Sequence, residues 1–381
     1  MNPKPKIPLL VPRLPVFDRI APYFRQIDQN HWYTNGGPLL KELEKRLAGH
    51  FEVPAENLVV MANGTEALTI GLLCLERPRG ARYCLLPSWT FAATPLSAVH
   101  AGLTPVFVDA DPGQWMITPE TVRKAISELN LRPGEIHSVM AVSPFGAPVK
   151  MTGWAAFQEE TGIPVLVDAA ASFDALANSE AFRPSAIPVM VSLHATKSFG
   201  IGEGAFLLSK NADFILKARK MINFGFWGGH EALVAGKNGK LSEYGCAVGH
   251  AELDGWPEKR EAWRKSTEGY LAFRKVFEEW GISFMPGYGE GWISSYCNVA
   301  FDSEKSKEAA RQTLSSAGIE VREWWGKGCH GHPALKHYPQ AGLDETRRLA
   351  QSVLALPFYV GMTQEQLDQI VGGLSGLFEK R

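Results

Sequence analysis

Short apolar segments alternate with helical ones through the first half of the chain, and this rhythm constrains the fold most strongly. LVVMA (58–62), YCLLP (83–87), PVFVDA (105–110), HSVMAVSP (137–144) and PVLVDAA (164–170) are strand-sized and strongly apolar. Between them EALTIGLLCLE, TPLSAVHAG and stretches near 118–129 and 152–161 read as helices, the second of them closed by Gly102. Ahead of the first strand, Leu39, Leu40, Leu43 and Leu47 fall at helical spacing. Apolar strands joined by helical crossovers form a parallel sheet covered on both faces. The expected class is therefore α/β, with a mostly parallel central sheet sandwiched by helices. After about residue 245 the rhythm gives way to charged helical stretches such as PEKREAWRKSTEGYLAFRKVFEEWG. A domain change is expected near 250, giving a large domain over 1–250 and a smaller α+β domain over 251–381.

Composition removes several function classes. Lys+Arg is 39 against Asp+Glu 40, a formal net charge of -1, so no chain-wide basic footprint for nucleic acid exists. No apolar run approaches the roughly 20 residues of a membrane span, and proline interrupts MNPKPKIPLLVPRLP too often for a signal peptide. The five cysteines (Cys74, Cys84, Cys246, Cys297 and Cys329) are odd in number and widely spaced. They suggest neither a disulfide framework nor a zinc site, and a cytoplasmic setting fits best.

Three segments carry candidate chemistry. In VSLHATKSFGIGEGAFLLS (191–209), Lys197 sits between an apolar strand and a glycine-punctuated loop, with no acidic neighbour close in sequence. A partly desolvated lysine can form a Schiff base with an aldehyde; the alternative is an ordinary surface lysine. Asp168 ends a very apolar strand, where α/β sheets place their ligands. Such a carboxylate can pair with a protonated heterocycle, hold a metal, or simply cap the next helix. Asn63-Gly64-Thr65 lies between strand and helix, where free N–H groups can cradle a phosphate. Together, a phosphate cradle, a carboxylate for a pyridinium and a Schiff-base lysine are the grips that pyridoxal 5′-phosphate needs.

Eight ordered segments resemble one family, the DegT/DnrJ/EryC1/StrS aminotransferases of fold type I. They are HWYTNGGPLLKELEKRL, NGTEAL, PSWTFAAT, PVFVDAD, VDAAASF, SLHATKSFGIGEGA, GKNGKLSEYGCAVGHAELD and LALPFY. The resemblance implies a pyridoxal phosphate enzyme that moves an amino group from an amino acid, L-glutamate by family expectation, to a nucleotide-linked keto-sugar. It implies Lys197 as covalent anchor and acid–base group, Asp168 as partner of the pyridine nitrogen, and Gly64, Thr65 and Ser192 as phosphate grip. Phe91 would stack on the ring; an ordinary core phenylalanine is its alternative. Asn238 would reach the phosphate of a neighbouring subunit, implying a homodimer with shared sites. Trp32, Tyr33 and Asn35 would line the substrate entrance, and His330 and His332 the substrate loop, with no metal. His194, three residues before Lys197, is a weaker candidate for direct chemistry.

The sequence also departs from the family pattern. Ala171 stands where glutamine or histidine is usual, Asp174 where glycine is usual, and Gly245-Cys246 where a pair like Gln-Ala is usual. VSPFGAP (142–148) replaces a His-aromatic-Gly pattern. Two rival readings share the fold. One is a keto-sugar dehydratase, disfavoured because those relatives carry histidine at the lysine position. The other is a non-catalytic regulator that only binds the cofactor, disfavoured by intact Lys197, Asp168 and Ser192.

Overall fold

Ten strands and their connections build two separate sheets in the computed structural model, which describes residues 6–378. The first sheet contains β1 (Leu58–Met61), β2 (Tyr83–Pro87), β3 (Thr104–Val108), β4 (Ile136–Val142), β5 (Val165–Asp168), β6 (Val189–Ser192) and β7 (Ala205–Leu208). Their spatial order is β1-β7-β6-β5-β4-β2-β3. Neighbours from β3 through β6 pair parallel, while β7 runs antiparallel to both β6 and β1. The exception has a local cause. Parallel neighbours need a crossover, whereas residues 193–204 between β6 and β7 contain no helix and fold straight back. That return loop carries Lys197 over the carboxyl edge of the sheet.

Helices Gly64–Cys74, Ala93–His100, Pro119–Glu128, Met151–Thr161 and Phe173–Asn178 supply the other connections. Nearly every strand residue is buried. This burial explains the continuous apolar runs: both faces of the sheet are covered, so no polar face alternates with an apolar one.

The second sheet is antiparallel, in the order β10-β9-β8, from β8 (Ile282–Phe284), β9 (Cys297–Phe301) and β10 (Val353–Leu356). Helices Glu304–Ser316 and Gln364–Phe378 accompany it. We propose that the two sheets mark two domains dividing near residue 250. The helix Glu243–Asp254 contains that position and packs with the first unit. Its Glu243 carboxylate accepts the amides of Leu39 and Leu40 at 2.8 and 2.9 Å, capping the helix Pro38–His50. Residues 1–5 and 379–381, the outer ends of the two expected domains, lie outside the described residues.

Asp174 joins the two regions. It is fully buried in the helix Phe173–Asn178 and pairs with Arg260 of the helix Trp256–Leu271 at 2.6 Å. It also accepts the amide of Ile293 at 3.0 Å. Glycine could supply neither contact, so this departure from the family pattern has a structural reason. Asp174→Ala should lower unfolding stability by about 3 kcal/mol, the scale for breaking a buried pair. Asp174→Asn keeps an acceptor for Ile293 and should lose less. Urea unfolding of the two variants checks the order.

Candidate active site

Four parallel strands deliver their carboxyl ends to one edge, and the candidate residues follow those ends. After β1, Asn63 takes an extended conformation and its side chain accepts the Glu66 amide at 2.9 Å, starting the helix at Gly64. The first amides of a helix lack intrahelical acceptors, so those of Gly64 and Thr65 are left without partners inside the helix. Gly64 lies close to the end of β6: a Cβ there would stand 3.4 Å from the Met190 sulfur and 3.5 Å from Ser192 Cβ. Ser192 itself is buried, and its hydroxyl accepts the His194 amide at 3.2 Å. The helix N-terminus and the serine hydroxyl thus meet although far apart in sequence.

Asp168 ends β5 and is only 5% exposed. Thr94 Oγ1 donates to Oδ2 at 2.8 Å, and the Ala170 amide donates to Oδ1 at 3.2 Å. Thr94 has one proton and gives it to the carboxylate, so the Thr90 hydroxyl 2.8 Å away must donate to Thr94. Burial pushes the Asp168 pKa up; the Thr94 bond, the Ala170 amide and the charge of Lys197 pull it partly back. The next helix opens at Phe173 behind Ser172, so Asp168 is not its cap. This arrangement is a buried carboxylate that lacks a full counter-charge.

Lys197 sits in the loop after β6. The loop is closed by Ala195 N to Gly202 O at 2.8 Å and Ile201 N to Leu193 O at 2.8 Å. Gly200 is needed for that turn, since a Cβ there would stand 2.9 Å from the Ala195 carbonyl. The Lys197 side chain is half-buried, and Nζ donates to the Tyr296 hydroxyl at 2.9 Å. Lys197 is therefore no ordinary surface lysine.

The remaining candidates occupy distinct positions. Phe91 is 64% exposed in the turn between β2 and the helix Ala93–His100, which rules out a core role. His330 Nδ1 lies 2.7 Å from Ser88 Oγ, just beyond β2, and burial lowers its pKa. Its neighbour Cys329 donates to the Thr90 carbonyl at 3.1 Å, so the CHGHP segment clamps the Ser88–Thr90 turn, while His332 is exposed. His194 bonds Thr196 at 2.9 Å and lies 3.7 Å from Glu203, turned toward its own loop. Asn238 is exposed and bridges Asn223. Trp32, Tyr33 and Asn35 are exposed beside the helix Glu243–Asp254, where Tyr33 stacks on Tyr244. Among the described residues, no hydrogen bond or ring contact links these three to Lys197 or Asp168 within one subunit.

Sequence reading missed several contributors. Thr94 and Thr90 lay inside the quoted PSWTFAAT segment, and their positions one helical turn apart were the available signal. Tyr296, 99 residues from Lys197, had no local signal at all. Nor did the aromatic wall behind it, in which Phe145 stacks on Trp325 at 4.0 Å and Trp89 meets Trp325 edge-on at 5.3 Å.

The sequence profile of the DegT/DnrJ/EryC1/StrS aminotransferase family matches residues 17–375. The chain belongs to that family. Mycobacterium tuberculosis protein Rv3402c is 29% identical over 97% of this chain and 90% of its own length. An Escherichia coli dTDP-4-amino-4,6-dideoxy-D-glucose transaminase is 26% identical over 99% of this chain and 100% of its own. The crystal structure of DesI with its TDP-sugar product superposes with a TM-score of 0.83 at 27% identity, covering 98% of this chain and 93% of that one. As a member of this family the protein is an aminotransferase, and its cofactor is pyridoxal 5′-phosphate. The residues present fit that group: the Asp168 carboxylate awaits a cation, free helix amides stand beside the Ser192 hydroxyl, and the Lys197 amine reaches the same edge.

An opposed pair of effects follows from the raised Asp168 pKa. Ionisation of a buried acid with a raised pKa works against folding, so its penalty is present above the folded pKa and relieved as pH falls through it. Asp168→Asn should therefore raise the melting temperature of the cofactor-free chain at pH 8 more than at pH 3.8, the ordinary aspartate value. It should also shrink the stabilisation gained on adding pyridoxal phosphate. Calorimetry with and without cofactor at both pH values reads both effects.

Proposed function

We propose that the protein transfers an amino group from L-glutamate to a nucleotide-linked keto-sugar, in the cytoplasm, as a homodimer with shared sites. The observation that carries the reading is the convergence of Lys197, Asp168, Gly64 and Ser192 on one sheet edge in a chain of this family. The sugar-nucleotide chemistry of the E. coli relative and of DesI, each matched over nearly the whole chain, supports the substrate class. The five cysteines, all buried free thiols, support a reducing compartment.

Bound pyridoxal phosphate supplies an electron sink for negative charge developing at the carbon that loses a proton. The chain's own residues do the rest. Gly64 and Thr65 amides and the Ser192 hydroxyl hold the phosphate. The Asp168 carboxylate, steadied by Thr94 and the Ala170 amide, holds a positive charge on the ring nitrogen. Exposed Phe91 would stack on the cofactor ring. Lys197 Nζ would anchor the cofactor and would serve as the general base that takes the proton from the donor Cα. In the acceptor half-reaction the same amine would deliver a proton to the sugar carbon. Asn238, exposed on its own subunit, reaches the phosphate held by the neighbouring one. Trp32, Tyr33 and Asn35 line the neighbouring entrance, and His330 and His332 the substrate loop. Exposed Phe17, Tyr244 and Tyr33, linked through half-buried Phe24 with successive ring separations of 6.5, 5.4 and 6.3 Å, support a subunit contact on that side.

A panel of nucleotide-linked amino-sugars, run in reverse with 2-oxoglutarate, tests the reaction and selects the substrate. Turnover of none, with an inert cofactor in the presence of glutamate, would favour the regulatory reading. Lys197→Ala should abolish the glutamate half-reaction with the fold intact. Asp168→Asn should slow both half-reactions by roughly a hundredfold, at about tenfold per 1.36 kcal/mol of lost stabilisation. Mixing Lys197→Ala with Asn238→Ala subunits should restore activity, because one of the two shared sites then carries neither change. Two inactive parents that give an inactive mixture would exclude sharing.

A further inference from the structure

We propose that Tyr296 is a positioning residue for Lys197: its phenol holds Nζ in a fixed place whenever that amine is not bonded to the cofactor. The inference rests on Lys197 being the anchoring lysine, as set out above. Nothing in the family resemblance points to this tyrosine.

A free lysine side chain swings about four rotatable bonds and gives up much rotamer freedom when fixed. A lysine that leaves the cofactor and must return to it benefits from a fixed resting place. Tyr296 supplies one. Its hydroxyl accepts from Nζ at 2.9 Å, and Nζ lies 5.4 Å from the centre of its ring. A phenol both donates and accepts. It can therefore accept a hydrogen bond from the ammonium form, or donate one to the lone pair of the amine form, so it holds Nζ in either state without net proton transfer.

The tyrosine is itself held from several directions. Its ring meets Phe145 edge-on at 5.5 Å and Trp324 at 5.2 Å. Its amide donates to Ser294 Oγ at 2.9 Å, and the same hydroxyl donates to the Phe145 carbonyl at 2.7 Å. Phe145 adopts a left-handed backbone with φ 54° and ψ 21°. Such a conformation persists in a non-glycine residue when its surroundings over-determine it. Here Ser294 fixes the carbonyl, and Trp325 fixes the ring at 4.0 Å with only 13° between planes. A strained residue of the first region thus braces the tyrosine that precedes β9, and the tyrosine in turn braces the lysine. Tyr296 is 8% exposed, so solvent competes little for its hydroxyl.

Tyr296→Phe keeps the ring packing and removes only the hydroxyl. The test compares wild type, Tyr296→Phe and Lys197→Ala in three measurements. These are melting of the cofactor-free chain, the rate at which that chain captures pyridoxal phosphate with borohydride fixation located by mass spectrometry, and kcat and KM of the glutamate half-reaction. The proposal expects Tyr296→Phe to melt as wild type, to fix the cofactor on Lys197 roughly five- to tenfold more slowly, the scale of one hydrogen bond, and to lose a similar factor in kcat with KM unchanged. Wild-type capture and turnover in Tyr296→Phe would overturn it. So would a lowered melting temperature with a raised KM, which would make Tyr296 a packing residue only. Fixation of the cofactor at wild-type yield in Lys197→Ala would show instead that the assignment of Lys197 itself is wrong.

Discussion

The Asp168 carboxylate is the group around which the site is organised. It is buried at the end of β5, in the interior of the sheet, with two hydrogen bonds from neutral donors. An ionised acid in such a place is costly unless a cation joins it. Lys197 contributes only the smallest of the favourable effects on its ionisation. A protonated ring nitrogen would complete the balance. The Thr90–Thr94 pair fixes the direction of the hydrogen bonds, so the carboxylate only accepts.

Chain topology explains why residues distant in sequence gather around this carboxylate. In a parallel sheet every carboxyl end points to the same edge, so whatever follows β1, β2, β5 and β6 must converge there. Gly64, Phe91, Asp168 and Lys197 occupy those four exits. The β6–β7 connection differs from the others because it has no helix, and that is why Lys197 rides on a tight loop closed by backbone hydrogen bonds rather than on a helix. A loop tied at both ends can present a long side chain at a defined place while leaving its tip free to move.

The legible part of the molecule is the part written in local pattern. Continuous apolar runs announced strands buried on both faces, and Gly64, Asp168 and Lys197 stood at recognisable junctions between elements. Tyr296 illustrates the limit. It belongs to no periodic pattern, it precedes a strand of the other sheet, and only tertiary packing against Phe145 and Trp324 gives it a function. Trp32, Tyr33, Asn35 and Asn238 were named by the resemblance and by no local pattern. They are exposed on a single subunit, and their ring and backbone partners within it are Tyr244 and Asn223.

Several departures from the family pattern, scattered along the sequence, form one patch in space. Ser143 bonds Ser172 at 2.6 Å, which joins the VSPFGAP segment to the residues after Asp168. Gly146, at φ +96°, comes so close to the Ala171 carbonyl that a Cβ would stand 2.7 Å from it. The same stretch continues to Asp174, which binds Arg260 and the Ile293 amide, and Ile293 immediately precedes Ser294, the residue bonded to the Phe145 carbonyl. Ala171, Asp174 and the altered 142–148 segment are therefore parts of a single rearrangement. It removes a polar side chain at position 171 and ties the loop after β4 to the chain leading into β9. Any side chain at 146 would strike the Ala171 carbonyl and stand 3.5 Å from the Trp292 ring, so the loop after β4 passes there only as glycine. The small residue at 171 and the tyrosine beside Lys197 are best understood together, as two ends of one packed unit.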